Sequence, residues 1–304
     1  MSSSHPYKLA IIFLDTDKHV SPFEQLAVVD IFPDVFIITY NNIDVDDAKK
    51  IIQDAMFPRG PKGVKFTKIF VGGSDVAKVD KIVETIKKTM FPPFEMAVLV
   101  DPRGNNTTAA AAVAKALQLL LKHGYGDLKD KNVTILAGTG PVGFACGVLS
   151  ALEGAYIVIT SRAIDRAQDV AQRINKEVSV ERARGVKAAS PEEFGKAIEE
   201  ADIVIATGAP GVRLLTLDVL KKYGKKVKVI VDVNAVPPTG IEGLEPGDED
   251  KEVIPGVYGV GALRVGALKN LILVELFKKL AETPKGILDY RAAYEVAKTL
   301  ISKK

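Results

Sequence analysis

Three glycines carry the first chemical signal. Gly138, Gly140 and Gly143 are spaced G-x-G-x-x-G, directly after the apolar run "NVTILA" and ahead of "FACGVLSAL". A strand, a glycine loop and a helix in that order make a site for a dinucleotide pyrophosphate. Gly138 serves the tight turn, Gly140 lets backbone approach the phosphates, and Gly143 lets helix and strand pack closely. Thr139, Pro141 and Val142 fill the loop and the helix start. Unpaired N–H groups and the helix dipole favour anions there. A loop that merely turns the chain is the plainer reading. The strand–loop–helix–strand order within about thirty residues argues against it.

The next strand, "AYIVIT", ends where an NAD site would hold Asp or Glu against the adenosine 2′-hydroxyl. This chain has Ser161 and Arg162 there, with Arg166 one helical turn on. A hydroxyl donor and a guanidinium suit a 2′-phosphate, which a carboxylate would repel. The expected cofactor is NADP, with NAD tolerated. A solvated arginine at a helix start is also ordinary, but it leaves the missing acid unexplained. Two later strand ends complete the candidate cofactor site. "IATGAPG" places Thr207, Gly208 and Ala209 where backbone can approach the nicotinamide half. "VDVNAVPPTG" ends a strand with Asp232 and Asn234. Ligands collect at the carboxyl ends of parallel strands, although both residues suit turn capping equally well.

A second polar group lies in the first third of the chain. "LDTDKHVSPFE", "RGPKG" with "FVGGSD", and "DPRGNNTTAAAA" read as loops around strand ends. They place Asp15, Asp17, Arg59, Lys62, Asp101, Asn106 and Thr107 near one sheet edge. Carboxylates beside amides and hydroxyls suit a nitrogen-rich heterocycle with N–H donors, and Arg59 and Lys62 suit an anionic tail. Singly, each of these residues is more often a cap or a solvated charge.

Positioning these residues requires a particular scaffold. Strand-like and helical runs alternate from "KLAIIFLD" to "EMAVLVDP", and Asp44 is placed to cap the start of "DVDDAKKIIQDAMF". That order argues for a parallel sheet covered by helices. An alanine-rich helix follows from Asn105 and stops at Gly124, and the βα pattern then restarts. The fold class is α/β with two domains. Residues 1–126 form an α/β substrate domain and 127–261 a Rossmann-type domain, with helices in 262–304 packing back on the first. A length of 304 residues suits two domains. One cysteine, Cys146, excludes an intramolecular disulfide, and three scattered histidines offer no ligand spacing, so no metal site is expected. A net charge of +3 gives no reason to expect nucleic acid or membrane as a partner. No apolar run reaches the length of a membrane span without charges. A soluble cytoplasmic protein is the expectation.

"DTD…SPF", "FVGGSD", "NNTTAAA", "LAGTGPVG", "SRAIDRAQ", "DVNAVPPTGI" and "GALK" occur in that order. Together they resemble the NADP-dependent methylene-tetrahydromethanopterin dehydrogenases, a family similar in plan to the methylenetetrahydrofolate dehydrogenase/cyclohydrolases. The resemblance runs from Leu14 to about Phe277 and is most specific at "NNTTAAA" and "DVNAVPPTGI". It implies reversible hydride transfer from a methylene-tetrahydropterin to NADP in one-carbon metabolism, leaving a methenyl cation, in a cleft between the domains of a homo-oligomer. It also implies that Asp15 or Asp17 steadies the cation or the pterin, and that Lys269 of "GALK" reaches the reaction. A solvated helix lysine is an equal reading of Lys269. The Tyr-x-x-x-Lys pair of the bifunctional enzymes is absent from the first domain, so no cyclohydrolase activity is expected.

Two other readings stand beside this one. A shikimate-dehydrogenase-like reductase would need a lysine–aspartate pair in the first domain. Lys18 and Asp101 could mimic it, but the "NNTTAAA" context fits poorly. A non-catalytic NADP-binding regulator would leave the polar strand ends of the first domain unexplained.

Overall fold

In the computed structural model, which describes residues 7–302, apolar runs closed by an acid or a glycine form strands. The amphipathic runs between them form helices. The chain divides into two compact units. The first comprises residues up to Asn106 with Leu271–Val296, and the second Thr107–Asn270 with residues from Ala297 on. The division thus falls at the start of the alanine-rich helix rather than near residue 126, and the last two helices are each shared between the units.

The first unit alternates β1 (Ala10–Asp15), α1 (Pro22–Ile31), β2 (Phe36–Tyr40), α2 (Val45–Met56), a short α3 (Gly60–Gly63), β3 (Thr67–Gly72), α4 (Val76–Thr89) and β4 (Ala97–Val100). All strands are parallel, in the order β12-β4-β3-β1-β2, where β12 is the three-residue Gly286–Leu288. Ile12, Leu14, Ile69, Val71 and Val98 pack against Ile52 and Met56 of α2 and Ile82 and Ile86 of α4. Burying each such side chain is worth about 1.5–3 kcal/mol. Asp44 caps α2 reciprocally: the Asp47 amide donates to its Oδ1 at 2.9 Å, and its own amide donates to Asp47 Oδ2 at 3.2 Å. The chain leaves β1 for β2 on one side and crosses to β3 on the other. The carboxyl ends of β1 and β3 therefore border a topological switch point, where ligands bind in open α/β sheets. Lys68 of β3 is fully buried and donates to the Thr283 carbonyl, just past the end of a C-terminal helix. Burial pushes its ammonium down to about 8.

The second unit runs from α5 (Asn105–Lys122) through β5 (Asn132–Leu136), α6 (Pro141–Leu152), β6 (Tyr156–Ser161), α7 (Ile164–Val178), β7 (Ala183–Lys187), α8 (Pro191–Ile198), β8 (Ile203–Ala206), α9 (Leu217–Tyr223) and β9 (Val229–Asp232). A hairpin, β10 (Glu249–Ile254) with β11 (Val257–Val260), leads to α10 (Ala262–Glu282), and α11 (Tyr290–Ser302) ends the described chain. Alanines of α5 allow close approach to α6, where Cys146 Sγ lies 3.8 Å from the Ala109 carbonyl. The strand order is β10-β11-β9-β8-β5-β6-β7, parallel except for β10. The switch point here lies between β5 and β8. Among the described residues, no helix is long and apolar enough to cross a membrane.

Candidate active site

The glycine loop lies at the β5/β8 switch point. After Leu136 the chain turns through Ala137, held at φ 52°. Thr160 of β6 pins the turn. Its Oγ1 accepts from the Ala137 amide at 2.9 Å, and its carbonyl accepts from the Gly138 amide at 3.0 Å. Thr207, just past β8, donates through Oγ1 to the Leu136 carbonyl at 3.2 Å. A Cβ on Gly143 would lie 2.4 Å from the Gly138 oxygen, and one on Gly138 would lie 2.9 Å from Ile135 Cγ2. Around Gly140, by contrast, nothing lies within 4 Å of a Cβ position. The cradle is closed where helix meets strand and open where phosphates would approach. Gly140 caps α6 without a side chain, so the first amides of α6, at Val142 and Gly143, are available to an anion. Pro141 donates nothing and presets the helical turn. These residues fit a dinucleotide.

At the adenosine end, Ser161 is buried and its Oγ accepts from the Ala163 amide at 3.3 Å. Arg162 and Arg166 are exposed, and their side chains form no hydrogen bond or ion pair among the described residues. Lys187, the last residue of β7, pairs in register with Ser161. Its Nζ lies 3.6 Å from Glu193 Oε1; sequence reading passed this cation over, since "ARGVK" reveals its neighbour only once the strands pair. Asp232 and Asn234 take the capping role. Asp232 accepts from the Asn234 and Ile241 amides at 2.9 and 3.0 Å, and Asn234 accepts from the Val236 amide and donates to the Pro238 carbonyl. They shape the loop after β9. Gly208 is half-buried and Ala209 exposed beside Thr207.

In the first unit, Asp15 and Asp17 meet at the β1/β3 switch point but differ in environment. Asp15 is 3% exposed. Burial pushes its carboxyl above the usual range, against the Asp17 amide, which donates to Oδ1 at 2.9 Å, and the Arg103 charge. Asp17 is pulled up by burial but held low on balance by Ser74 and Arg103. Ser74 donates to it from Oγ at 2.7 Å and from its amide at 3.1 Å, and Arg103 donates through Nε at 2.8 Å and also through Nη2. The same Nη2 reaches Asp15 Oδ1 at 3.5 Å and the His19 carbonyl at 2.9 Å. Arg103 sits at φ 48°, a left-handed conformation that costs a non-glycine residue about 1 kcal/mol or more. Gly73, just before Ser74, has φ 129°, and a Cβ there would lie 1.9 Å from Thr16 Oγ1.

Not every first-unit candidate joins this cluster. Arg59 donates to the carbonyls of Lys8 and Phe66 at 2.7 and 3.3 Å. Those residues precede β1 and β3, so Arg59 lies at the amino edge of the sheet, opposite the acids. Lys62, in α3 ahead of β3, lies on that side too. Asp101 is buried and accepts from the Asn106 amide at 2.9 Å, while Asn106 Nδ2 donates to the Val100 carbonyl at 2.7 Å. This pair anchors the start of α5, in which Thr107 is fully buried. Lys269 is half-buried on α10. Cys146 is inert, its thiol pushed up to about 12 by burial. Sequence reading overlooked Arg103 and Ser74, although both lie in loops it singled out. Their partner, Asp17, is far away in sequence.

Residues 22–103 match the family model described as methylene-tetrahydromethanopterin dehydrogenase, N-terminal. The chain is 34% identical to an NAD(P)-dependent methylenetetrahydromethanopterin dehydrogenase of Methylorubrum extorquens AM1, over 92% of this chain and 94% of that one. It is also 34% identical to the bifunctional protein MdtA of the same organism, over 96% and 99%. Among solved structures it resembles a quinate dehydrogenase from Corynebacterium glutamicum in complex with NAD, with a TM-score of 0.52 and 13% identity over 95% of this chain and 98% of that one. A shikimate 5-dehydrogenase from Listeria monocytogenes gives 0.50 and 15%, over 90% and 92%. At such identities these structures speak to the fold alone.

Proposed function

The chain belongs to the methylene-tetrahydromethanopterin dehydrogenase family, and we propose that it transfers hydride reversibly between a methylene-tetrahydropterin and NADP. One observation carries the reading: a dinucleotide cradle flanked by unpaired arginines occurs in a chain whose other strand-end cluster holds a buried carboxylate. Bound NADP supplies a hydride acceptor at nicotinamide C4. The methylene carbon of the substrate loses hydride and becomes a cation shared by its two flanking nitrogens. No proton moves, so no general base is required.

The protein's tasks are then positioning and electrostatics. Ser161, Arg162 and Arg166 hold the 2′-phosphate. Gly138, Gly140 and Gly143 receive the pyrophosphate, and Thr207 fixes the loop that approaches the nicotinamide. The ionised form of the buried Asp15 steadies the cation as it forms. Asp17, tied to Ser74 and Arg103, holds the β1 and β3 loops in one arrangement. Turnover of methylene-tetrahydromethanopterin and methylene-tetrahydrofolate, each with NADP and with NAD, tests the reading. Activity with neither pterin would remove it.

Self-association belongs to the same proposal. β2 is an edge strand without a charge, and Phe36, Ile38 and Tyr40 on it are exposed. Phe23, Leu26 and Val29 form an exposed stripe on α1, with Leu26 64% exposed. Natural edges usually carry charge or cover. The six side chains form an apolar face on adjoining elements, linked by the Gln25–Thr39 side-chain hydrogen bond. An uncharged edge strand is self-complementary across a two-fold axis, so a second copy of this chain fits it.

A further inference from the structure

Glu24 occupies the first turn of α1, which starts at the carboxyl edge of the sheet because it follows β1. It is 4% exposed, and its Oε2 has neither solvent contact nor a hydrogen-bond partner among the described residues. A buried carboxylate oxygen is normally hydrogen-bonded, and one left without a partner is costly to bury. The dipole of α1 favours a negative charge at this end, but Ser21, not Glu24, caps the helix by accepting from the Phe23 amide. Glu24 also belongs electrically to the acid cluster. With Asp17 and Asp15, it holds the Arg103 guanidinium above its usual value in spite of burial. A second orphan lies at the same strand end, since Thr16 Oγ1 is buried without a partner.

We propose that Glu24 is a substrate-binding residue whose carboxylate accepts hydrogen bonds from the amino-pyrimidinone edge of the tetrahydropterin, at its 2-amino and N3–H groups. Two adjacent N–H donors match two carboxylate oxygens, and such a charge-assisted bidentate pair is among the stronger and more directional contacts available. The ligand supplies what the fold leaves unmade. Arg103, on which Glu24 acts electrostatically, supplies a positive charge close to the site. This assignment rests on the proposed tetrahydropterin reaction and adds to it the group that recognises the ring.

Calorimetric binding of tetrahydromethanopterin and of tetrahydrofolate to the full chain without cofactor tests it, alongside NADP binding and thermal unfolding. Glu24→Gln keeps the shape and loses one acceptor. It should weaken tetrahydropterin binding about tenfold to hundredfold and leave the NADP dissociation constant unchanged. It should not lower the melting temperature, because an amide is easier to bury than an unpaired charge. A 2-desamino tetrahydropterin should lose affinity for wild type but not for Glu24→Gln. Glu24→Asp, which keeps the charge on a shorter arm, should recover part of the binding. Equal tetrahydropterin affinity in wild type and Glu24→Gln overturns the assignment. So does a Glu24→Gln protein that melts earlier and loses both ligands together, which marks a structural role. Wild-type protein that binds neither tetrahydropterin overturns instead the reaction on which the assignment rests.

Discussion

Asp15 and Asp17 carry the same group two residues apart, and the fold separates their tasks. Asp17 is saturated by Ser74 and Arg103, while Asp15 is buried with its carboxyl raised above the ordinary 3.8. In the proposed reaction only the ionised form of Asp15 steadies a cation. Turnover should therefore fall on the acid side with an apparent pKa above that ordinary value. Arg103 lowers the Asp15 pKa, so Arg103→Gln should move the acid limb to higher pH. Asp15→Asn should abolish the limb and cost about 10²–10³ in kcat. A pH–rate profile that stays put in Arg103→Gln would detach Arg103 from Asp15. Cofactor choice is also decided by single residues. Arg162→Ala should raise the KM for NADP about tenfold to hundredfold and change that for NAD by no more than about twofold. Equal losses with both cofactors would show that Arg162 does not read the 2′-phosphate.

Individual elements explain both what could be read from sequence and what could not. The α6 loop was legible because each glycine answers a local steric demand, seen in the 2.4 Å that would separate a Gly143 Cβ from the Gly138 oxygen. Gly143→Ala should accordingly weaken NADP binding at least about tenfold, by pushing helix from strand at a cost of roughly 1–3 kcal/mol. Fluorescence titration with NADPH checks it, and unchanged affinity would mean the loop yields freely. The capped α2 and the β-branched strands were legible for the same local reason. The β10–β11 hairpin was not, because "EDKEVI" is a charged edge strand with two register shifts and no alternation to detect. Arg59 was misplaced because a charge next to a glycine-rich loop looks alike at either end of a strand. Only its bonds to Lys8 and Phe66 put it at the amino edge. Arg103, Ser74 and Glu24 escaped because each is defined by distant partners or by burial, neither of which is written in a local run.

At the scale of the molecule, the proposed reaction draws on a strand-end cluster in each unit, and the proposed self-association on β2 and α1. Ile38→Lys with Leu26→Glu places charge on the exposed face of β2 and on α1. Analytical ultracentrifugation should then show a smaller species than wild type with the same NADP affinity. An unchanged sedimentation coefficient would assign self-association to another face, or to none. The central claim is that hydride, not a proton, leaves the methylene bridge for NADP. It is tested most directly with substrate carrying two deuteriums on that carbon, in ordinary water. Mass spectrometry should find one deuterium in the NADPH and the other retained in the methenyl product, the two products formed in equal amounts. NADPH without deuterium, or label lost to water, would contradict the account.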